Sequence, residues 1–430
     1  MQTHDHEMNE IRVFKFFKIV YSFGMMNQPL DVSTLIVGAG PVGATLALAL
    51  AQAGVKSAIV DTCDPAQVLK KEFDGRTIAI SHGSHLIFKA LGLWEELSSF
   101  VEPIKKIHIS QANYLGYVHY DEKDSDGFAM GYIIENRHLR RILFKAIFNN
   151  PLINCRISNH VKSLDRQPFF IEATLEQQEK LKVPLVVAAD GRNSITRQQA
   201  GLKAHAWSYQ QIALVGVLKT EFPHENIAFE HFLPSGPLAL LPMQNDLCSF
   251  VWSIDKQFGE HLLTLSEQEF SDQLRASFGD YLGKFELASQ RWSYPLGGIL
   301  VPQLIAERLA LIGDAAHVIH PVAGQGLNLG FRDAVTLAEV LVDAARVGID
   351  IGSAQVLERY QRWRRFDVLT LTSVTDLLVR SFSNDSKLIG NLRMIGLRLT
   401  HRLPVLKRVM TQHAMGLLGE KPRLLQGLPL

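Results

Sequence analysis

The stretch Thr34–Gly43, TLIVGAGPVG, determines the fold class of this chain. Its first four residues, three of them large and apolar, favour a buried strand, and the alanine- and leucine-rich residues that follow favour a helix as far as Gln52. Gly38 permits a sharp turn out of the strand, Gly40 allows a phosphate to approach the backbone, and Gly43 lets the helix pack against the strand. The helix start then offers free N–H groups and a partial positive charge to that phosphate.

A second strand completes this unit. Gly54 ends the helix, residues 56–60 are apolar enough for a strand, and Asp61 stands at its end. A carboxylate about 20 residues beyond the glycines is placed to accept hydrogen bonds from a ribose hydroxyl. The alternative is a glycine turn in another kind of βα unit, and the turn alone does not distinguish NAD from FAD.

Two more strand ends carry motifs. A continuous apolar strand at 183–189 is followed by Asp190-Gly191, which by itself is a common turn. A short apolar strand at 309–312 is followed by Gly313-Asp314-Ala315-Ala316-His317, then by PVAGQGLNLG at 321–330 and a helix from about 327 to 345.

The last of these motifs indicates a flavin. Asp314 at a strand end can hold a ribityl or ribose hydroxyl, and the glycines at 324 and 326 allow a flat ring to lie on the backbone. The helix start can stabilise the negative charge that accumulates on one edge of a reduced flavin. The alternative is a glycine-rich loop that caps a core helix.

Composition excludes several classes of protein. A chain of 430 residues with 20% charged residues and a net charge of +1 lacks the basic excess of a nucleic-acid scaffold. Cys63, Cys155 and Cys248 have neither metal-ligand spacing nor a disulfide framework, which favours a reducing cytosol. No metal site is predicted, and no apolar run reaches the roughly 18 residues of a membrane-spanning helix.

The two ends of the chain differ from its body. Residues 1–30 form a predicted extension whose apolar patch at 14–21 is interrupted by Lys15 and Lys18, which does not suit a secretory signal. An alternative start at Met25 or Met26 stays open. Near the other end, Glu420 is the only acid among eight bases: Lys387, Arg393, Arg398, Arg402, Lys407, Arg408, Lys421 and Arg423. These bases favour either a surface that rests on anionic lipid or a helical cap with a solvated basic face.

The ordered motifs resemble a known group. GxGxxG, a DG turn and GDAAHxxxPxxGQGxNLGxxD are similar, between residues 33 and 346, to the single-component FAD aromatic hydroxylases. A narrower resemblance is to the ubiquinone-biosynthesis hydroxylases, which hydroxylate polyprenyl phenols. It is carried by Asp74–Ile80, Glu135–Arg137, Ser235–Pro242, Tyr360–Arg364, Ser381–Asn384 and Ala414–Gly416.

The resemblance implies an α/β fold like that of p-hydroxybenzoate hydroxylase. A Rossmann-like FAD-binding domain would be interrupted by an antiparallel β-rich substrate domain, since residues 207–252 show short alternating runs with turn signals. We therefore expect an FAD-binding domain at 31–104, 131–203 and 292–346, a substrate domain at 105–130 and 204–291, and a helical region at 347–430.

The resemblance also implies which residues bind the cofactor. Gly38, Gly40, Gly43 and Asp61 would hold the ADP half of FAD. Arg76 and Arg137 would lie near the pyrophosphate or the flavin edge, unless they only form surface ion pairs. Asp190 and Gly191 would lie by the dinucleotide or the flavin, and Asp314 would contact ribityl or pyrophosphate oxygens. The isoalloxazine would be wrapped by Pro321, Gly324, Gln325, Gly326, Leu327 and Asn328.

In enzymes of this group, NADH or NADPH reduces FAD, which combines with O2 to a C4a-hydroperoxide that attacks a phenol ring. The cofactor carries the chemistry, so no catalytic residue is assigned, and His317 and His320 are treated as structural. Phe229, Phe232, Leu238, Leu240 and Pro242 are candidates for the substrate-pocket lining, with plain sheet core as the alternative.

Three functions remain in competition. The first is hydroxylation of a polyprenyl phenol by a cytoplasmic enzyme, with the inner face of the cell membrane and other ubiquinone-biosynthesis proteins as further partners. The second is a flavin reductase or oxidase that acts on another substrate. The third is a non-catalytic FAD-binding subunit of a biosynthetic complex, which the intact loop at 313–330 disfavours.

Overall fold

A computed structural model describes residues 32–68, 72–112, 117–125, 127–176, 178–382 and 404–430. The expected N-terminal extension at 1–30, the Ser383 and Asn384 positions, and the bases from Lys387 to Arg402 lie outside the described residues.

The strands in chain order are β1 (Thr34–Val37), β2 (Ser57–Asp61), β3 (Thr77–Ser81), β4 (Val101–Ile104), β5 (Lys106–Gln111), β6 (Tyr117–Asp121), β7 (Gly131–Glu135), β8 (Ile153–Ile157), β9 (Val161–Arg166), β10 (Ile171–Leu175), β11 (Lys180–Val183), β12 (Leu185–Ala188), β13 (His205–Thr220), β14 (Ile227–Leu233), β15 (Gly236–Met243), β16 (Leu247–Asp255), β17 (Phe285–Leu287), β18 (Trp292–Leu300), β19 (Ile305–Ala306), β20 (Leu309–Leu311) and β21 (His317–Val318). The α-helices are α1 (Pro41–Gln52), α2 (Pro65–Val68), α3 (His82–Ala90), α4 (Trp94–Ser98), α5 (Asn136–Phe148), α6 (Ile195–Gln199), α7 (Lys256–Thr264), α8 (Glu267–Phe278), α9 (Gly326–Arg346), α10 (Ala354–Phe382) and α11 (Pro404–Ala414).

A six-stranded sheet in the order β19-β20-β12-β1-β2-β8 forms the half of the fold in which a cofactor is expected. All neighbours in it are parallel except β19 and β20. The βαβ unit predicted from residues 34–61 is confirmed, with β1, α1 and β2 in the expected order. Because the strands are parallel, the carboxyl ends of β20, β12, β1 and β2 lie along one edge of the sheet.

A nine-stranded sheet forms the other half, in the order β21-β18-β13-β16-β15-β14-β5-β6 with β17 beside β13. Its neighbours are antiparallel except β14 and β5, which confirms the antiparallel sheet expected at 207–252. The expected domain boundary at 292 needs correction, since β18 (Trp292–Leu300) pairs with β13 in this sheet. The pattern of β18 does not reveal its partner, because pairing is decided by register with a strand about 80 residues earlier in the chain.

The two faces of the nine-stranded sheet have different neighbours. Helices α7 and α8 cover the outer face, where Phe229, Leu238 and Leu240 belong to one core cluster with Phe270 and Leu262. The expectation that these three strand residues line a substrate pocket is therefore wrong. Pro242 alternates with them along β15 onto the same face and pairs with Cys248 of that cluster. Phe232 lies on the inner face, where it packs against Val322.

A buried ion cluster joins the C-terminal helices to the cofactor half. The carboxylate of Asp333 on α9 accepts hydrogen bonds from the Gly313 N–H at 3.0 Å, His317 Nε2 at 2.6 Å and Arg364 Nε at 2.7 Å. Arg364 on α10 is fully buried and also donates to Asp367 at 2.7 Å. Burial alone would raise the pKa of Asp333, but the interactions with His317 and Arg364 outweigh it and lower that pKa.

Because of this cluster, we expect replacement of two arginines on the same helix to differ greatly in its effect on the free energy of unfolding. Arg364→Met would leave the Asp333 carboxylate buried without the guanidinium that pairs with it, at a cost of about 3–5 kcal/mol in the free energy of unfolding. The control is Arg359→Met, whose arginine is 50% exposed and pairs with Asp343 at 3.2 Å, and which should cost less than about 1 kcal/mol. Urea unfolding measures both, and equal losses would contradict the prediction.

Candidate functional site

The three motif-bearing turns meet at the carboxyl edge of the parallel sheet. The Ala189 N–H donates to the Val37 carbonyl at 2.7 Å, and the Ile312 N–H donates to the Ala188 carbonyl at 3.0 Å. The contacts are close enough that a Cβ atom placed on Gly38 would lie 2.2 Å from the Ala189 carbonyl oxygen. The turns that start at 38, 189 and 313 are therefore brought together into one site.

The three glycines of the first turn differ in backbone conformation and in surroundings. Gly38 has a φ of +110°, which favours glycine. A Cβ on Gly43 would lie 2.0 Å from the Gly38 carbonyl oxygen, so helix α1 packs against the turn only without a side chain there. A Cβ on Gly40, by contrast, would have no atom within 4 Å.

The start of α1 fits a phosphate group. No side chain caps this helix, and Pro41 stands at its first position, so its first N–H groups have no partner within the helix. Helices α7 and α8 differ, since Asp255 and Ser266 cap them. Open space at Gly40 beside uncapped N–H groups is the arrangement that a pyrophosphate needs.

Asp61 is held beside this turn. Its Oδ2 accepts from the Ala39 N–H at 2.5 Å and its Oδ1 from the Cys63 N–H at 2.7 Å, which orients the carboxylate at the end of β2. This placement fits the expected contact with a ribose. Burial and the neighbouring Asp61 raise the pKa of the Cys63 thiol to about 12, so this thiol stays neutral.

Asp190 is occupied by its own turn. One of its oxygens accepts from the Ser194 hydroxyl and the other from the Thr196 N–H at 3.0 Å, so it holds the start of α6. Gly191 has a φ of +81°, as a tight turn requires. Arg197 on α6 then donates to the Ala315 carbonyl at 2.9 Å and links the second turn to the third. Direct contact of Asp190 with the dinucleotide stays a prediction.

Asp314 lies in a recess at the third turn. Its side chain is solvent-accessible, yet enclosure by surrounding protein raises its pKa, while His317 and Arg192 act in the opposite direction. Helix α9 begins at Gly326 next to this recess, and no side chain caps it. The site therefore has a second uncapped helix start, placed to stabilise negative charge on a flavin edge.

Asn328 holds the loop that precedes α9. Its side-chain oxygen accepts from the Ser81 N–H at 2.9 Å and the Ser84 hydroxyl at 2.8 Å, and its nitrogen donates to the Ala79 and Gly324 carbonyls at 2.8 and 3.0 Å. The side chain is thereby saturated, so any contact of Asn328 with the flavin would be made by its backbone.

In the rest of the loop before α9, a second side chain also holds the backbone in place. The Gln325 side chain donates to the Ala414 carbonyl at 3.1 Å, which ties the loop to the chain after α11. Gly324 has a φ of +61° and lies against Ala79, while Pro321 is exposed and Leu327 is half-buried. The backbone of 324–327 is the part of this loop that remains available to a ring system.

Arg76 and Arg137 both form local ion pairs. Arg76 pairs with Asp74 at 2.5 Å and is 49% exposed, and Arg137 pairs with Glu135 at 2.6 Å. The two lie close together because β3 and β7 are paired, with Thr77 opposite Glu135. The expected approach of these arginines to FAD stays a prediction.

Sequence reasoning missed the residues that support the site from behind. Asp333 and Arg364 both lie in quoted motifs, as the acid of NLGxxD and the last residue of the 360–364 segment, but no role was assigned to either. The available signal is an acid about two helical turns after a glycine-rich helix start, within an otherwise apolar helix. The described residues contain no group of three His, Cys, Asp or Glu side chains that could hold a metal ion.

Comparisons with known proteins agree with this geometry. The FAD binding domain family matches residues 31–371. Among curated relatives, ubiquinone hydroxylase UbiL of Rhodospirillum rubrum is 39% identical and covers 95% of each chain. This chain belongs to the FAD-dependent monooxygenases of the ubiquinone hydroxylase family. The expectation of an FAD enzyme with a monooxygenase fold is thereby confirmed.

Two further relatives extend the agreement. The 3-demethoxyubiquinol 3-hydroxylase of Escherichia coli is 33% identical to this monooxygenase. The match covers 91% of the present chain and 100% of the Escherichia coli protein. The crystal structure of p-nitrophenol 4-monooxygenase PnpA from Pseudomonas putida superposes with a TM-score of 0.73 at 19% identity, over 92% of this chain and all of that one. The second likeness concerns the fold alone.

The glycine turn predicts separable effects on cofactor binding and folding. Gly40→Ala adds a methyl group in open space with an ordinary φ of −63°, so the apoprotein should melt like the wild type. FAD affinity, measured by titration of the apoprotein, should fall by on the order of tenfold to a hundredfold, or about 1.4–2.8 kcal/mol. Gly43→Ala should instead destabilise the apoprotein itself. Wild-type FAD affinity in Gly40→Ala would show that the pyrophosphate binds elsewhere.

Proposed function

We propose that this monooxygenase hydroxylates the aromatic ring of a polyprenyl phenol on the route to ubiquinone, with NADH or NADPH as electron donor and O2 as the oxygen source. The proposal is supported by relatives named as ubiquinone hydroxylases that match nearly the whole chain. When bound, FAD supplies the reducing electrons and the activated oxygen, and the chain has to bind the ring and exclude water.

An apolar surface opposite the flavin loop carries the proposal. On the inner face of the nine-stranded sheet, Ile107, Ile109, Leu241 and Val251 are all partly exposed. On the outer face of β15 and β16, by contrast, Leu240, Phe250 and Trp252 are buried in the core cluster that includes Leu262 of α7 and Phe270 of α8. Phe232 of the inner face packs on Val322 in the loop before α9, so this apolar face lies beside the expected flavin position. Such a surface suits an aromatic ring with a hydrocarbon tail.

Turnover of a prenyl phenol is the direct test. The purified holoenzyme should oxidise NADH or NADPH in a phenol-dependent way and release a product with one more oxygen atom. Hydrogen peroxide without such a product would favour a reductase or oxidase, and a flavin that neither nucleotide reduces would favour a non-catalytic subunit. Deletion of the gene should cause one under-hydroxylated prenyl phenol to accumulate, and unchanged quinone levels would contradict the pathway.

We further propose that the exposed face of α10 rests on an anionic lipid surface. No helix in the described part of the chain is both long and apolar enough to span a membrane. Helix α10 nevertheless exposes Phe366 by 76% and Leu377 by 67%, and Leu369 and Val374 are exposed on the same side. The basic residues that flank this face at its N-terminal end are Arg362 and Arg365, both exposed. Apolar side chains flanked by bases suit the headgroup region, where a polyprenyl substrate would be taken up.

Not all the predicted bases contribute to this face. Lys407 pairs with Asp124 at 2.6 Å, and Arg423 pairs with Glu339 at 3.2 Å, so both are used within the body of the protein. Arg408 and Lys421 are exposed. The lipid proposal therefore rests on α10 and not on Lys407 or Arg423.

Vesicle binding tests the lipid proposal. Replacing both Phe366 and Leu377 by Glu should abolish flotation with vesicles that contain phosphatidylglycerol, because charge replaces the inserted apolar groups. The matched control is Phe169→Glu, which alters an 81% exposed phenylalanine on the β9–β10 turn and should leave flotation unchanged. Flotation of the double variant at the wild-type level would overturn the proposal.

A further inference from the structure

Glu230 occupies an unusual position on the inner face of the nine-stranded sheet. Side chains alternate along β14, so Phe229 and His231 point to the outer face, where both rings contact Phe278 of α8. Glu230 therefore points to the inner face, together with Ala228 and Phe232.

The neighbours of Glu230 along its own strand place it opposite the cofactor half. Ala228 belongs to an inner cluster against which Ala79 of β3 packs. Phe232 packs against Val322 of the loop before α9. Because Glu230 lies between these two contacts, its carboxyl faces the cleft between the substrate sheet and the expected flavin position.

The neighbours across the sheet are apolar. Glu230 is paired with Ile109 on β5 and with Ala239 on β15. Within the described part of the chain, the carboxyl makes no hydrogen bond or ion pair. A carboxyl group without a partner on an apolar wall costs stability, since burial of a charge is not compensated there. Such an arrangement at a cleft is typical of a functional group.

Protein encloses the Glu230 carboxyl although part of the side chain reaches solvent. This burial raises its pKa to about 7. The group therefore exchanges a proton near neutral pH.

The titratable groups on the elements packed around the cleft do not compensate its charge. His320 is buried, and burial lowers its pKa to about 4, so it is neutral. Burial raises the pKa of Tyr120 on β6 to about 12, and Tyr209 is bound to Asp376 on α10 at 3.1 Å. On β5, His108 faces the outer side, where its ring contacts Phe229.

A neutral amide completes the inner face of β5. The Gln111 side chain is 6% exposed, and its Oε1 has no hydrogen-bond partner in the described structure. It lies opposite Phe232, two residue pairs beyond Ile109 and Glu230 and therefore on the same face. A second unpartnered polar atom on the same wall indicates that this wall receives a polar ligand group.

We propose that the Glu230 carboxylate binds the ring hydroxyl of the substrate and accepts its proton. This assignment rests on the proposed function. The phenol O–H bond breaks, a carboxyl O–H bond forms, and no electrons change hands in this step. The proton returns to the ring oxygen when the product leaves. Glu230 would thus be a catalytic residue that orients the ring and converts it to the more nucleophilic phenolate.

The acidities suit this transfer. A phenol has a pKa of about 10 in water, and a base works best when its own pKa lies near the operating pH. The apolar walls of the cleft strengthen a hydrogen bond between phenol and carboxylate, because they exclude competing water. A fully exposed carboxylate would have too low a pKa for this role.

Glu230→Gln is the decisive variant, since it keeps the shape of the side chain and removes its titration. Its matched control is Glu286→Gln, which alters an exposed glutamate on β17. In the wild type and the control, kcat for prenyl-phenol hydroxylation should rise with pH up to about 7 and then level off. Glu230→Gln should lose this rise and lower kcat by on the order of a hundredfold, a typical contribution of a positioned base.

Two readouts do not depend on turnover. The affinity of oxidised holoenzyme for the phenol should rise with pH up to about 7 in the wild type, because the carboxylate that forms accepts a hydrogen bond from the ring hydroxyl, and it should not change with pH in Glu230→Gln. In thermal unfolding, a carboxyl whose pKa is raised in the folded state destabilises the fold as pH increases between the two pKa values. The melting temperature of Glu230→Gln should therefore rise relative to the wild type between about pH 4.5 and 7.

The outcomes separate the two proposals. A wild-type enzyme that hydroxylates no prenyl phenol would overturn the proposed function, and the role of Glu230 with it. An active wild type beside a Glu230→Gln variant with the same kcat and the same pH profile would overturn the role of Glu230 alone. If the difference in melting temperature between the wild type and Glu230→Gln did not change with pH, the burial of the Glu230 carboxyl and the rise in its pKa would be contradicted.

Discussion

The buried carboxylate of Asp333 is the constraint on which the rest of the structure depends. A charge without solvent costs several kcal/mol unless hydrogen bonds and opposite charge surround it, and here three donors do so. These donors come from the turn at 313–317 and from helix α10. If the turn that carries Asp314 moved away from α9, the buried Asp333 carboxylate would lose the hydrogen bonds from Gly313 and His317. The cofactor site and the C-terminal helices therefore form one cooperative unit.

The cofactor site is built from backbone more than from side chains. Two helices start at it without side-chain caps, α1 after Gly40 and α9 after Gln325, so the first N–H groups of both have no partner within their helix. The polar side chains of Asp190 and Asn328 form hydrogen bonds with backbone groups of the turns and hold those turns in place. This division explains why glycines are required there, since the ligand has to approach the main chain.

The two faces of the nine-stranded sheet differ in role: the outer face packs into a core, and the inner face is where we expect the substrate to bind. The outer face is sealed by α7 and α8 and contains large residues such as Phe250 and Trp252. The inner face keeps smaller and partly exposed apolar residues and places Glu230 among them. A carboxyl group on that face is costly to the fold, which is understandable if the substrate supplies its partner.

The sequence by itself determined the βαβ unit at 34–61, the three cofactor motifs and the family, because the glycine turns and the strand-to-helix changes are local and need no distant partner. It also predicted an antiparallel sheet, but assigned Phe229, Leu238 and Leu240 to the wrong face and left β18 in the wrong sheet. Alternation shows that a strand has two faces and not which neighbour covers each one. Only the tertiary structure decided the covering of those faces, the pairing of Asp333 with Arg364 and the isolation of Glu230, since each depends on residues far apart in the chain coming into contact.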